Sequence, residues 1–181
     1  MLWSLLSEQI VTSEKQIVEI QLNRNLRSEI KVAVKCHFDL PVVVDVPKNL
    51  NDGTPFPTMF WLTCPMYIKK VSTLESHGMV KELDNQLNRN SKLRKLWSKR
   101  QKSYEKERNR KYKSVNNTVS PIGGVGGAVN SIKCLHSHLA DELVTGKNIV
   151  GQIVLENVGG CNCNEPCVIE GTKNDNWRSE W

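Results

Sequence analysis

No stretch of this chain approaches the ~18–20 consecutive apolar residues of a membrane-spanning helix, so no such helix is expected. The opening residues, MLWSLLSEQIV, have neither a basic leading segment nor a small-residue cleavage site. They do not read as a secretory signal, and the expected compartment is the cytosol. There is no C-x-x-C pair among the six cysteines, so ligands drawn from Cys36, Cys64 and Cys134 would come singly from distant segments. The glycine-rich run Gly123-Gly124-Val125-Gly126-Gly127 matches neither a Walker A loop nor GxGxxG, and no Lys-Ser/Thr follows it. A phosphate-binding loop is therefore not expected, and residues 115–131 read as a flexible linker. Acids are nearly missing from one segment: Arg89 to Lys113 carries twelve Lys/Arg against only Glu105 and Glu107. The whole chain of 181 residues is +6, so that segment at +10 leaves −4 elsewhere. Such a face fits a polyanion or an anionic surface. The length suits one domain with a sizeable core and is too short for two comfortable ones.

What is present is densest between Pro47 and Pro65, PKNLNDGTPFPTMFWLTCP. Asp52-Gly53 is a turn signal, because Gly accepts positive φ and Asp can bond its own backbone. Thr54 and Phe56 precede prolines and are pushed out of the helical region, so 54–58 should be extended. Met59 to Thr63 is short, apolar and aromatic, as a buried strand would be. Pro65 fits the first turn of a helix, which places Cys64 at or next to the N-cap, where a thiolate is favoured.

Elsewhere, Ser13-Glu14-Lys15-Gln16 has the form of a capping box and opens a short amphipathic helix. Ile30, Val32, Val34 and Cys36 alternate with Lys31, Ala33 and Lys35, predicting a half-buried strand with Cys36 inward. Val42 to Val46 predicts a second strand. Helical spacing of Ile68, Val71, Leu74, Val80, Leu83 and Leu87 is interrupted at His77-Gly78, which suits a helix–turn–helix. Leu93, Leu96, Trp97 and Tyr104 form an apolar stripe on the basic helix 91–113, thinning toward its far end. Asn130 or Ser131 is expected to cap a helix through about Val144, with Ile132, Leu135, Leu139 and Leu143 buried and Cys134 in its first turn. Ile149 to Leu155 reads as a short strand or an apolar strap. The expected fold is α+β: a small, mainly antiparallel sheet against helices at 65–90, 91–113 and 131–145. That domain spans 1–151, and 152–181 is expected as a polar, cysteine-bearing, poorly ordered tail.

Four segments, QLNRNLRSEIKVAVKC, LPVVVDVPKNLNDGTPFPTMFWLTCP, VSTLESHGMVKEL and IKCLHSHLADELVTGKNIVG, together resemble the bacterial domain-of-unknown-function family 501. The resemblance covers about residues 15–151, and its specific parts are DGTPFPT…WLTCP and KCLH. The family's usual QLGR and NPVG stand here as Gln21-Leu22-Asn23-Arg24 and Asn148-Ile149-Val150-Gly151. Some members carry a further cysteine where this chain has Phe38. The resemblance implies a fold unit and no assigned activity.

Three constellations carry chemistry. Cys36, Cys64, Cys134 and His136, with His138 and His37 in reserve, lie at expected strand ends and a helix start. Three thiolates and an imidazole suit tetrahedral zinc. The same residues also suit thiol chemistry, with Cys64 or Cys134 as nucleophile and His136 or His138 as base, or plain packing. The second is the basic helix, with Arg94, Lys95, Lys99, Arg100, Lys102 and Lys106 as phosphate contacts and Trp97, Tyr104 and Tyr112 interleaved. Nucleic acid or an acidic protein would satisfy that charge; a solvated face is the alternative. The third is Cys161-x-Cys163-x-x-x-Cys167, which suits a soft metal or disulfide exchange and needs a fourth ligand from elsewhere. The expected function is a binding or scaffold module with a zinc site. The alternatives are a nucleic-acid-associated protein and a thiol-dependent enzyme.

Overall fold

Val43 and Val44 are neighbours in the chain and both have no exposed surface. Successive strand residues point to opposite faces, so the strand that holds them must be covered on both sides. The computed structural model describes residues 12–47, 49–54, 56, 58–112 and 122–178. In it β1 (Lys31–Lys35), β2 (Pro41–Asp45) and β3 (Phe60–Leu62) form an antiparallel sheet with β2 in the centre. Val43 lies opposite Leu62 and faces the main core; Val44 lies opposite Trp61 and faces a smaller cluster with Val18 and Val46. Val18 comes from α1 (Glu14–Leu22), which opens with the expected capping box between Ser13 and Gln16. β1 alternates exposed and half-buried residues, as its period of two requires. The architecture is α+β.

The main core joins the sheet to five further helices: α2 (Pro65–Ser76), α3 (Met79–Arg89), α4 (Ser91–Tyr112), α5 (Leu135–Thr145) and α6 (Ile149–Val158). Cys64 is the N-cap of α2, with Pro65 in the first turn. Gly78, at φ 86°, separates α2 from α3, and this is a backbone state that glycine adopts without strain. The Asp52 turn is as read from sequence: its carboxylate accepts the Thr54 N–H at 3.0 Å. Residues 55 and 57 of the expected extended segment lie outside the described residues. Among the described residues, no helix is long and apolar enough to cross a membrane.

Four elements differ from expectation. α5 begins at Leu135 with Cys134 as N-cap, not at Asn130 or Ser131. The reason is tertiary. Asp84 of α3 takes the Ile132 N–H at 2.7 Å and Glu75 of α2 takes the Leu135 N–H at 2.6 Å, so the acceptors that start the helix come from other helices. Ile149 to Leu155 is neither strand nor strap but the body of α6, because Asn148 caps it by accepting the Gly151 N–H at 3.0 Å. The described part of the glycine-rich segment is not a loose connection. Val125 is fully buried in a 3-10 turn, Val125–Gly127, and its N–H is held by Gln101 of α4. Gly124 lies so close to Gln101 that a Cβ would overlap it. Residues 115–121 of the expected linker lie outside the described residues. The segment after α6 returns to the domain: β4 (Val168–Ile169) and β5 (Thr172–Lys173) form a hairpin against α1. Its turn residues, Glu170 and Gly171, both have positive φ, as the favoured two-residue hairpin turn demands.

α4 buries a stripe at Trp97, Arg100, Gln101, Tyr104 and Arg108. The stripe does not thin after Tyr104; it continues as a buried arginine. Leu96, expected on it, is 46% exposed instead. The side chain of Tyr112 lies outside the described residues. Arg100 forms a bidentate pair with Asp141 of α5 (Nε to Oδ2 2.8 Å, Nη2 to Oδ1 2.6 Å), and its remaining donor reaches Glu107 at 3.1 Å. Asp141 also accepts from Asn148 Nδ2 at 2.8 Å. The Asn148 Oδ1 accepts from His138 Nδ1 at 3.0 Å, which makes His138 the neutral Nδ1–H tautomer. Burial pushes the His138 pKa down, as a neutral ring requires. One network thus ties α4, α5 and α6 through their polar atoms.

Two outcomes follow for stability. Asp141→Ala leaves the Arg100 guanidinium buried without its bidentate partner and should cost about 3–5 kcal/mol in urea denaturation. The double change Arg100→Met with Asp141→Leu should cost less than the two single changes summed. Gly151 faces the His138 backbone carbonyl where α6 crosses α5, with no room for a Cβ. Gly151→Ala should therefore destabilise by about 1–3 kcal/mol, despite the better helix propensity of Ala.

Candidate functional site

The start of α5 gathers the one chemically distinctive set. Among the described residues, Glu75, Cys134 and His136 form the only group of three or more His, Cys, Asp or Glu ligand atoms lying within 4.8 Å of one another. All three are partly exposed, with the His136 and Glu75 side chains 23% and 28% accessible. Local chemistry explains the placement. Cys134 is the N-cap, so its side chain sits at the positive end of α5. His136 follows two residues on. Glu75 arrives from the last turn of α2 and is fixed by the Leu135 N–H.

The His136 ring is held from two sides. Its Nδ1 is 3.3 Å from Glu75 Oε1, and its Nε2 is 3.3 Å from the Ile68 carbonyl and 3.2 Å from Ser72 Oγ. Burial opposes the charge on this ring, yet its pKa is raised by hydrogen bonding to Cys134, by the Glu75 charge and by the Ile68 carbonyl. For Cys134 burial again works against the charged form, but hydrogen bonds from His136 and from the Ser137 backbone and side chain pull the thiol down. The two shifts have one meaning: the thiolate and the imidazolium favour each other.

The residues expected at one junction divide into two places. Cys134 and His136 are together, joined by Glu75. Cys36 and Cys64 belong elsewhere: Cys64 is buried and its thiol neighbour is Cys161. His37 donates from Nε2 to the Cys163 carbonyl at 2.9 Å. His138 faces Asn148 inside the core. Glu75 carried no local sequence signal, because it lies on a different helix and reads there as an ordinary surface acid.

On the basic helix, Arg94, Lys95, Lys99, Lys102 and Lys106 are exposed. Arg100 is not available to a phosphate, since its side chain is 4% exposed and pairs with Asp141. A cleft of about 630 Å³ opens near the C-terminal end of α5, lined by Leu96, Lys99, Arg100, Glu107, Asn148 and Ile149 among others. It lies at the opposite end of α5 from Cys134 and includes none of Glu75, Cys134 and His136.

No curated protein and no solved structure matches the chain. The family model described as "Protein of unknown function (DUF501)" matches residues 32–156, which include all but the first residue of β1, β2, β3, Glu75, Cys134, His136 and the Arg100–Asp141–Asn148 network and stop before Cys161. On that match, over more than half of its length, the chain belongs to the DUF501 family.

Proposed function

We propose that this protein works through a thiolate at Cys134, paired with the His136 imidazolium and steered by Glu75. The observation that carries the reading is the environment of the His136 ring. One nitrogen faces a carboxylate and the other a backbone carbonyl and the Ser72 hydroxyl, and a ring so placed favours its protonated form. A cation in that position favours the anion of the sulfur beside it. The pair supplies a nucleophile and a proton donor together. The Cys134 sulfur attacks an acyl carbon or a disulfide sulfur, the bond to the leaving group breaks, and the His136 proton passes to that group. Glu75 holds the ring and offsets its charge.

A second reading rests on the same three atoms. With both protons lost, Cys134, His136 and Glu75 would give a zinc ion three protein ligands and leave its fourth position open. Polyanion binding is carried only by the exposed charge of α4, with Arg94, Lys95, Lys99, Lys102 and Lys106 as its contacts.

Iodoacetamide labelling of Cys134 against pH tests the thiolate. The midpoint should lie below the ~8.5 of a free cysteine. His136→Ala should move it up toward that value, because the ring that favours the anion is gone. A Cys134 midpoint at the free-cysteine value in the unaltered protein would overturn the thiolate reading. Slowing of the labelling by equimolar zinc would favour the metal reading at this site.

A further inference from the structure

The tail cysteines lie outside the family match, yet they do not hang free. Gly159 ends α6, and Lys70 closes that helix by donating to the Val158 carbonyl at 2.9 Å. The chain then turns back over the end of the sheet. Asn174 pins the return, donating from Nδ2 to the Pro166 carbonyl at 2.8 Å and from its backbone to the Cys167 carbonyl at 3.1 Å. His37 anchors the Cys163 carbonyl, and Gln21 Nε2 lies 3.6 Å from the Cys167 sulfur.

The result is a concentration of sulfur. Cys161 packs against the core beside Cys64, with its thiol in hydrogen-bonding reach of both Cys64 and Cys163. The Cys163 sulfur is 3.7 Å from the Met66 thioether. Cys36 lies near enough for its charge to act on Cys163 and Cys167. All these cysteines are free. Cys64, Cys161 and Cys163 thus converge around the start of α2, where Cys64 is the N-cap and Met66 is in the first turn.

Burial pushes the Cys163 thiol up, opposed by the Trp177 indole N–H beside it. The Trp177 indole N–H is buried, and the Cys163 sulfur is the acceptor beside it. A buried N–H without an acceptor is costly, and a thiolate is a better acceptor than a thiol. Metal coordination is what makes a buried thiol a thiolate, and an N–H aimed at a ligand sulfur is the usual outer support of such a site.

We propose that Cys64, Cys161 and Cys163, with Met66 beside them, form a sulfur-only site for a thiophilic d10 cation of the Zn²⁺ or Cu⁺ class, closed by the C-terminal segment. The missing ligand of the tail's C-x-C motif is then Cys64 of the domain. Thiolate and thioether donors select such soft ions over magnesium or calcium. The Cys64, Cys161 and Cys163 sulfurs run as a chain rather than a closed triangle, so binding would draw Cys64 and Cys163 inward around Cys161. Each bound thiol releases its proton to solvent. This site is separate from Glu75, Cys134 and His136.

The full chain carrying Cys134→Ser and His136→Ala removes the other site and isolates this one. Titration of that variant, fully reduced, with Cd²⁺ should give a sulfur-to-cadmium charge-transfer band saturating at one ion per chain. Zn²⁺ and Cu⁺ should displace the cadmium and protect Cys64, Cys161 and Cys163 from iodoacetamide. Adding Cys161→Ser should abolish the band. Trp177→Phe keeps the ring and loses the N–H, and it should weaken binding by about 10–100-fold. Circular dichroism of the metal-free variants provides the folding control. An undiminished band in the Cys161→Ser variant, or no band in a folded variant that keeps all five cysteines, would overturn the site. So would a Cys64–Cys161 disulfide formed under mild peroxide by protein that takes up no metal.

Discussion

The structure depends first on one buried ion pair. Arg100 and Asp141 meet in bidentate geometry with almost no solvent contact, and Asn148 completes the acceptor set of the carboxylate. Burying either charge alone would be prohibitive, so α4 and α5 must pack in the register that joins them. Asn148 then carries the constraint into α6, where it is also the helix cap, and its carbonyl oxygen selects the tautomer of His138. A helix that looks from its composition like a solvated cationic rod is thereby made part of the interior.

α5 inherits its position from this arrangement. Leu135, His138, Leu139, Ala140 and Asp141 are all fully buried, so little of the helix is free to shift. Its start is set by Glu75 and Asp84, acceptors on α2 and α3, and this delivers Cys134 to the N-cap with His136 two residues on. The meeting of Cys134, His136 and Glu75 is a consequence of how the helix is begun. Glu75 serves both purposes: it satisfies an orphan N–H of α5 and faces the His136 ring.

The return of the chain after α6 reorganises the remaining sulfur. Cys64 occupies a helix N-cap much as Cys134 does, yet the two have different surroundings. Cys134 has an imidazole and a carboxylate; Cys64 has thiols and a thioether nearby. Hard and soft donors are thus separated on one molecule, and each set favours a different chemistry.

Local patterns determined the elements. The S-x-x-Q box, the period of two at Val32 and Val34, Pro65 after Cys64, and Gly78 between two helical runs each act within a few residues, and each element formed where its pattern lies. Patterns that depend on a distant partner were not readable. Arg100 and Arg108 belong to the buried stripe of α4 by spacing, but only the place of Asp141 makes an arginine there tolerable. Asn130 and Ser131 are good caps by type, and Glu75 overrode them from another helix. Ile149 to Leu155 has the β-branched content of a strand, and the cap at Asn148 with the close approach at Gly151 made it a helix. For the same reason the six cysteines did not sort themselves by spacing. Which thiol meets an imidazole and which meets another thiol is decided by how separate segments pack, since a sulfur's partner is set by distance in space and not along the chain.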